Sequence, residues 1–306
     1  MTAYCFLTLL TLMQSTSTSE ARRFDLNGNP IAAGSTSESK TEADGHVVRV
    51  EYGLDANGQK IPLLSMEQTK VEQNGHVVVQ QVIRQFDQNG NMTSSQRVLS
   101  DEQKLGSGVT EKHATVFRTD LNGNEILDEQ KVTRSDNKTS VTEVQRRGLD
   151  GSLALAERQT TATEKTANGS KSNSSTFRKD NNGNLYEVAR EIKETTTQGK
   201  QTIENDSKYV VRGDGQFALQ EQTVTKATPQ ADGTVAKRVE VYGEQVPGVT
   251  NDSGRPALQE VQTIQSRKSA DGSVVETTVS QKAEVTDNGR LGDARVIGET
   301  VVTKKP

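Results

Sequence analysis

The sequence predicts an all-β fold: an extended antiparallel meander of long repeated hairpins, largely single-layer, twisted or curled. Three observations carry this prediction. An Asp-x-Asn-Gly motif recurs along the chain, two series of turn signals alternate at regular spacing, and apolar residues are too scarce to fill a thick core.

The motif is clearest at Phe117-Arg118-Thr119-Asp120-Leu121-Asn122-Gly123-Asn124 and at Phe177-Arg178-Lys179-Asp180-Asn181-Asn182-Gly183-Asn184. Looser copies are Arg23-Phe24-Asp25-Leu26-Asn27-Gly28-Asn29 and Arg84-Gln85-Phe86-Asp87-Gln88-Asn89-Gly90-Asn91. Asn-Gly between two extended runs is a strong hairpin signal. Glycine enters the left-handed region without a Cβ clash, and the Asp two residues before the Asn can accept backbone N–H bonds. A type I turn closed by a left-handed glycine fits this order. It assigns structural turn roles to Asp25, Asn27, Gly28, Asp87, Asn89, Gly90, Asp120, Asn122, Gly123, Asp180, Asn182 and Gly183.

The first series of turns has its glycines at Gly28, Gly58, Gly90, Gly123, Gly151, Gly183 and Gly215. Their mean spacing of about 31 residues defines the repeat. A second series falls midway, at sites such as Asp44-Gly45, Asn74-Gly75, Asn168-Gly169 and Asp232-Gly233. A turn about every sixteen residues leaves strands of ~10–12 residues, long by ordinary standards. Each repeat therefore reads as one hairpin, rich in the Thr and Val that suit a pleated surface. The regularity lapses at 243–256, where a longer loop is expected; such loops are where specialised contacts concentrate.

Only 31% of residues are hydrophobic and 4% aromatic, with no Trp, so the interior must be thin. The 37 basic and 41 acidic residues are interspersed, which removes the self-repulsion that drives disorder. No basic strip with interleaved aromatics is present, so nucleic acid is excluded as a partner.

The apolar run from Tyr4 to Met13 has the length of a signal-peptide core and is too short for a membrane-spanning helix. Residues 1–21 are read as a signal peptide and 22–306 as the hairpin array, with no membrane span in the mature chain. Cys5 leaves with the leader, so no disulfide or thiol site is expected.

Strict alternation along a strand assigns its two faces. From Ser273, alternate residues Val275, Thr277, Val279 and Gln281 form a mildly apolar face, whereas the strand from Leu219 through Glu221, Thr223 and Thr225 is polar on both. A transmembrane barrel needs an apolar face on every strand, so an open or curled sheet is expected.

The Phe/Tyr-Asp-x-Asn-Gly-Asn turn resembles that of tyrosine–aspartate (YD, RHS-like) repeat proteins of bacterial surfaces and secreted toxins. The resemblance implies an extracellular β-repeat scaffold. This chain departs from it in having Phe24 and Phe86 where that family favours Tyr, and in its longer repeat.

No catalytic constellation stands out, and no cofactor is expected. Asp120, Asn122 and Asn124 have the oxygen spacing of a calcium loop, but the sixth-position glycine and twelfth-position glutamate are absent, so they are read as turn residues. His46, His76 and His113 lack a metal-binding partner at matching spacing and are read as surface residues. Arginines preceding the turns, Arg84, Arg118, Arg147, Arg178 and Arg212, are candidates for contact with an anionic glycan or protein if they stack as a stripe. The expected function is a secreted or cell-surface, non-enzymatic scaffold for matrix or adhesive contacts. The alternatives are a carrier or shell of a secreted toxin and, behind it, an extracellular glycan-acting enzyme.

Overall fold

The computed structural model describes residues 15–305, except 25–29, 43–44, 56, 121, 181, 244–255, 270–272 and 284–290. The strands are β1 (Ser15–Phe24), β2 (Pro30–Thr41), β3 (Val47–Leu54), β4 (Lys60–Gln73), β5 (His76–Phe86) and β6 (Met92–Lys104). After a single 3-10 turn follow β7 (Thr110–Thr119), β8 (Glu125–Ser135), β9 (Thr139–Arg147), β10 (Leu153–Thr166), β11 (Gly169–Lys179) and β12 (Leu185–Gln198). The last six are β13 (Gln201–Val211), β14 (Phe217–Pro229), β15 (Val235–Gly243), β16 (Ala257–Lys268), β17 (Val274–Lys282) and β18 (Arg295–Lys305).

Every strand pairs antiparallel with the one before and the one after it. The ends then meet: β1 pairs with β18 from Thr16↔Lys305 to Arg23↔Gly298. The all-β antiparallel meander is therefore present, but the open or curled sheet expected from the sequence is corrected to a closed barrel of 18 strands. The physical reason is the edge: an open sheet leaves two rows of unpaired N–H and C=O groups, and closure pairs them.

The wall is one layer thick. Among the described residues the buried apolar side chains are Val144, Val261 and Val275. The accessible surface is 20718 Å², against about 12,600 Å² for a compact chain of this size. Both faces of the sheet are solvent-accessible, which is how a chain this poor in apolar residues can fold.

Register fixes the barrel's proportions. Followed round all the ladders on the regular part of each strand, the pairing returns to β1 displaced by about 20 residues, which implies a tilt of about 40° and a backbone diameter of about 35 Å. At that tilt a strand of about eleven residues stands about 28 Å tall.

The two rims differ. First-series turns all lie at one rim, the motif rim, and second-series turns lie with the described ends of the chain at the other. Every ladder closed at the motif rim carries a register shift; no ladder closed at the opposite rim does. The skipped residue lies on the strand leaving the turn, for example Leu63, Asp128, Val188 or Gln220. Such bulges bend a strand and raise its twist near the rim.

Of the expected leader, residues 1–14 lie outside the described residues, whereas 15–21 belong to β1 and pair with β2 and β18. Of the loop expected at 243–256, residues 244–255 also lie outside them, and Gly243 ends β15.

Closure is testable by cross-linking. Thr18 and Thr303 are direct partners, so a full-length Cys5→Ser chain carrying Thr18→Cys and Thr303→Cys should form an intramolecular disulfide on mild oxidation, seen as a reducible shift of the monomer band. In an open sheet of this many strands these positions would stand about 80 Å apart, and no monomeric cross-link would form.

Candidate functional site

The motif rim concentrates the residues singled out by sequence. In the turn between β7 and β8, Asp120 N donates to Asn124 O at 2.9 Å and Gly123 N to Asp120 O at 3.1 Å. Asp120 Oδ1 accepts from the Asn122 and Asn124 amides at 2.9 and 2.8 Å. The same geometry recurs at Asp87, with the Asn89 and Asn91 amides, and at Asp180, with those of Asn182 and Asn184. Gly90, Gly123 and Gly183 have φ of 80°, 83° and 85°, where a side chain would be strained. Asp25, Asn27 and Gly28 lie outside the described residues.

These bonds set the electrostatics of the turns. The Asn91, Asn124 and Asn184 amides, donating to Asp87, Asp120 and Asp180 respectively, hold each carboxyl below the usual carboxylate range. One oxygen of each carboxylate is already committed to two amides. The other, in each case, lies within 3.1–3.4 Å of an asparagine side-chain nitrogen, Asn91, Asn124 or Asn184. Among the described residues no cluster of three or more His, Cys, Asp or Glu could hold a metal ion. His76 sits 3.1 Å from Asp101 and His113 2.7 Å from Glu111.

The five arginines do not form one stripe. Register puts Arg84 and Arg147 on one face of the wall and Arg118 and Arg178 on the other. Arg84 pairs with Glu67, Arg118 with Asp128 and Arg178 with Glu157. Arg147 folds over its own turn, its guanidinium beside Gly151. Arg212 donates its backbone N–H to Gln216 O across its turn.

Sequence reasoning missed the distribution of aromatic residues. Every Phe and Tyr after Phe6 lies within a few residues of a motif-rim turn. Phe24, Tyr52, Phe86 and Phe117 do so on β1, β3, β5 and β7; Phe177, Tyr209, Phe217 and Tyr242 do so on β11, β13, β14 and β15. Cross-strand partners share a face, and the registers put all eight on the same one: Arg97↔Phe117, Arg158↔Phe177, Arg190↔Tyr209, Val211↔Phe217 and Gln222↔Tyr242 link them in turn. Only Tyr186 points the other way, opposite Arg178. Cations interleave with the rings: Arg97 lies 4.5 Å from the Phe117 centroid, Arg190 4.5 Å from Phe217 and Lys60 5.6 Å from Tyr52. The signal was present in the sequence as an aromatic residue shortly before most of the motif turns, as at Phe24, Tyr52, Phe86, Phe117, Phe177 and Tyr209.

The opposite face mixes apolar side chains such as Val77, Val79 and Val144 with charged and hydroxylic ones. It carries the Glu129–Arg146 pair at 3.0 Å, Lys193–Asp206 at 3.4 Å and Lys208–Glu221 at 2.9 Å. Thr161 and Ser174 are hydrogen-bonded there at 2.8 Å.

No family model matches the chain, and no curated protein matches it. Solved structures do. Pseudomonas aeruginosa OpdO is similar at a TM-score of 0.53 and 8% identity, with 95% of each chain covered. Pseudomonas aeruginosa OccK2 (OpdF) is similar at 0.50 and 10% identity, over 95% of this chain and 96% of that one. These are outer-membrane porins with 18-strand barrels, and at such identities the likeness is one of fold.

This overturns several sequence expectations. The resemblance to YD (RHS-like) repeats rested on one turn, and a hairpin turn is common to many β architectures; the whole chain instead matches porin barrels. The secreted adhesive scaffold was read from an open or curled sheet; the closed barrel and its likeness to outer-membrane porins point away from it and from the toxin carrier and glycan-acting enzyme set beside it. The absence of a membrane span rested on helix length and on the lack of an apolar face on every strand. A barrel crosses with tilted strands of ~9–11 residues, and the strands here run from 8 to 14 residues.

Two outcomes are expected at the turns. Gly183→Val should cost about 1–2 kcal/mol through left-handed strain and speed amide exchange near 180–184 without changing the far ends of β11 and β12. Because the Asp120 carboxyl is lowered in the folded chain, its bonds hold at neutral pH and are lost as pH falls through its folded value. The Asn122 and Asn124 amide shifts should therefore titrate together, with a midpoint below that of an ordinary aspartate.

Proposed function

We propose that this chain forms a water-filled, non-enzymatic channel across an outer membrane and passes small polar solutes. The observation that carries the reading is a closed 18-strand wall, one layer thick, that carries paired charges on both faces. A polar face turned inward is the lining of an aqueous barrel. Side chains reaching in from a backbone cylinder of about 35 Å leave a free width on the order of 20 Å.

The lining sets the selectivity. Its charges alternate in sign and are largely paired, as at Glu129–Arg146 and Lys208–Glu221. Small neutral and charged solutes would meet little net field, so the channel would discriminate by size more than by charge. The described turns are short at both rims, so they leave the mouth of the lumen clear. A wall about 28 Å tall matches a hydrocarbon layer of about 30 Å. The location would be the outer membrane, at the cell surface in the broad sense.

Full-length protein added to planar bilayers should give stable unitary current steps, with a reversal potential close to zero in a potassium chloride gradient. Protein that folds as β structure yet neither floats with liposomes nor conducts would overturn the reading.

A further inference from the structure

We infer that Asn74, in the turn between β4 and β5, is a site of spontaneous covalent modification: in the folded chain it deamidates through a cyclic imide well ahead of the Asn-Gly pairs of the motif rim. The reaction needs only the folded wall and water, with or without a membrane around it.

The chemistry is intrinsic to the pair. The Gly75 backbone nitrogen, having lost its proton to base, attacks the side-chain carbonyl carbon of Asn74; ammonia leaves and a five-membered imide closes. Water then opens the ring at one of its two carbonyls. Opening at the Cγ–N bond gives aspartate, and opening at the backbone C–N bond gives isoaspartate. Glycine after the asparagine favours the attack because no Cβ crowds its nitrogen.

The sequence holds eight Asn-Gly pairs, so the question is which of them the fold leaves open. Asn27-Gly28 and Asn288-Gly289 lie outside the described residues. At the motif rim the attacking nitrogen is engaged. Gly58, Gly90, Gly123 and Gly183 each donate their N–H to the carbonyl of the turn aspartate, at 2.9 to 3.1 Å. The amides on either side donate to that aspartate's Oδ1, as those of Asn122 and Asn124 do to Asp120. Asn57 and Gln59 do the same to Asp55. Three consecutive N–H groups are thus held by one residue, and closing the imide would break the middle bond and rotate the other two.

The remaining pairs lie at the opposite rim and differ from each other. Gly169 belongs to β11 and is paired with Thr166 and Thr196, while Asn168 O accepts from Thr197 N at 2.8 Å. Asn74 and Gly75 are instead the two residues of a minimal turn closed by Gln73↔His76. Among the described residues the Gly75 N–H donates to no backbone carbonyl in this turn, and no aspartate side chain caps it. Asn74 is exposed, and it is the one non-glycine among the described residues with left-handed φ, at 53°. The nitrogen that must attack is therefore unengaged, in a turn that only its flanking ladder holds.

Conversion puts a carboxylate in place of a neutral amide two residues from His76, whose ring already lies 3.1 Å from Asp101. The isoaspartate product also lengthens the main chain by one methylene inside a two-residue turn, which loosens the Gln73↔His76 end of the hairpin.

The test is to hold folded full-length protein in mildly alkaline buffer and follow each Asn-Gly peptide by mass spectrometry, reading isoaspartate with an isoaspartyl methyltransferase. Asn74 should convert about tenfold or more faster than Asn57, Asn89, Asn122 and Asn182, the factor expected where one net hydrogen bond protects the slower sites. In denaturant the five should react at similar rates. Asp120→Ala, which removes the two side-chain bonds of one turn, should speed Asn122 alone. Motif-rim pairs reacting as fast as Asn74 in the folded chain would overturn the inference. An Asn74 that stays intact while the denatured chain converts would do so too, and an Asp120→Ala chain with Asn122 as slow as before would remove the protection argument.

Discussion

The structure depends on the closed backbone ladder. With so few buried apolar side chains, no core holds the strands together, and the main cohesive element is the row of N–H to C=O bonds between each strand and its two neighbours. Such a ladder is strongest where no strand is left at an edge. The β1–β18 pairing is therefore the constraint that makes a thin sheet of this length self-contained. Side-chain pairs across the ladder add smaller amounts, roughly 0.2–1 kcal/mol each, and the wall is dense with them: Arg158–Glu143, Lys171–Glu194 and Lys208–Glu221 are directly opposite partners.

Much of the meander was legible. Turn chemistry is local, so Asp120 to Asn124 announces a reversal from five residues, and the alternation of the two turn series announces antiparallel neighbours of similar length. Closure was not legible in the same way. Whether the first strand meets the last is decided by twist and tilt accumulated over the whole sheet, and no residue in β1 or β18 records it.

The bulges explain why the faces were misread. Strict alternation from Leu219 puts it with Glu221, Thr223 and Thr225. The ladder instead skips Gln220, so Leu219 shares its face with Gln222 and Val224. The same slip occurs at Val188 and at Gln259. A residue inserted into one strand exchanges the faces of everything beyond it. Across this chain the error recurs once per motif-rim hairpin, which hid the gathering of the rings on one face. Where no shift intervenes, as along Val275, Thr277, Val279 and Gln281, alternation and register agree.

The arginines and aromatics belong to one repeat but do different work because of this geometry. Each motif turn is preceded by residues that alternate across the wall, so an arginine one position from an aromatic is sent to the other face. Arg118 beside Phe117 and Arg178 beside Phe177 face the polar side, where Asp128 and Glu157 meet them. The cations that lie against the rings come from other strands instead: Arg97 from the adjacent β6 reaches Phe117, and Arg190 from β12 reaches across β13 to Phe217 on β14. Repetition along the chain thus becomes a circumferential pattern only after register has sorted it. The outcome is a rim with rings and cations on one face of the wall and the Arg118–Asp128 and Arg178–Glu157 pairs on the other.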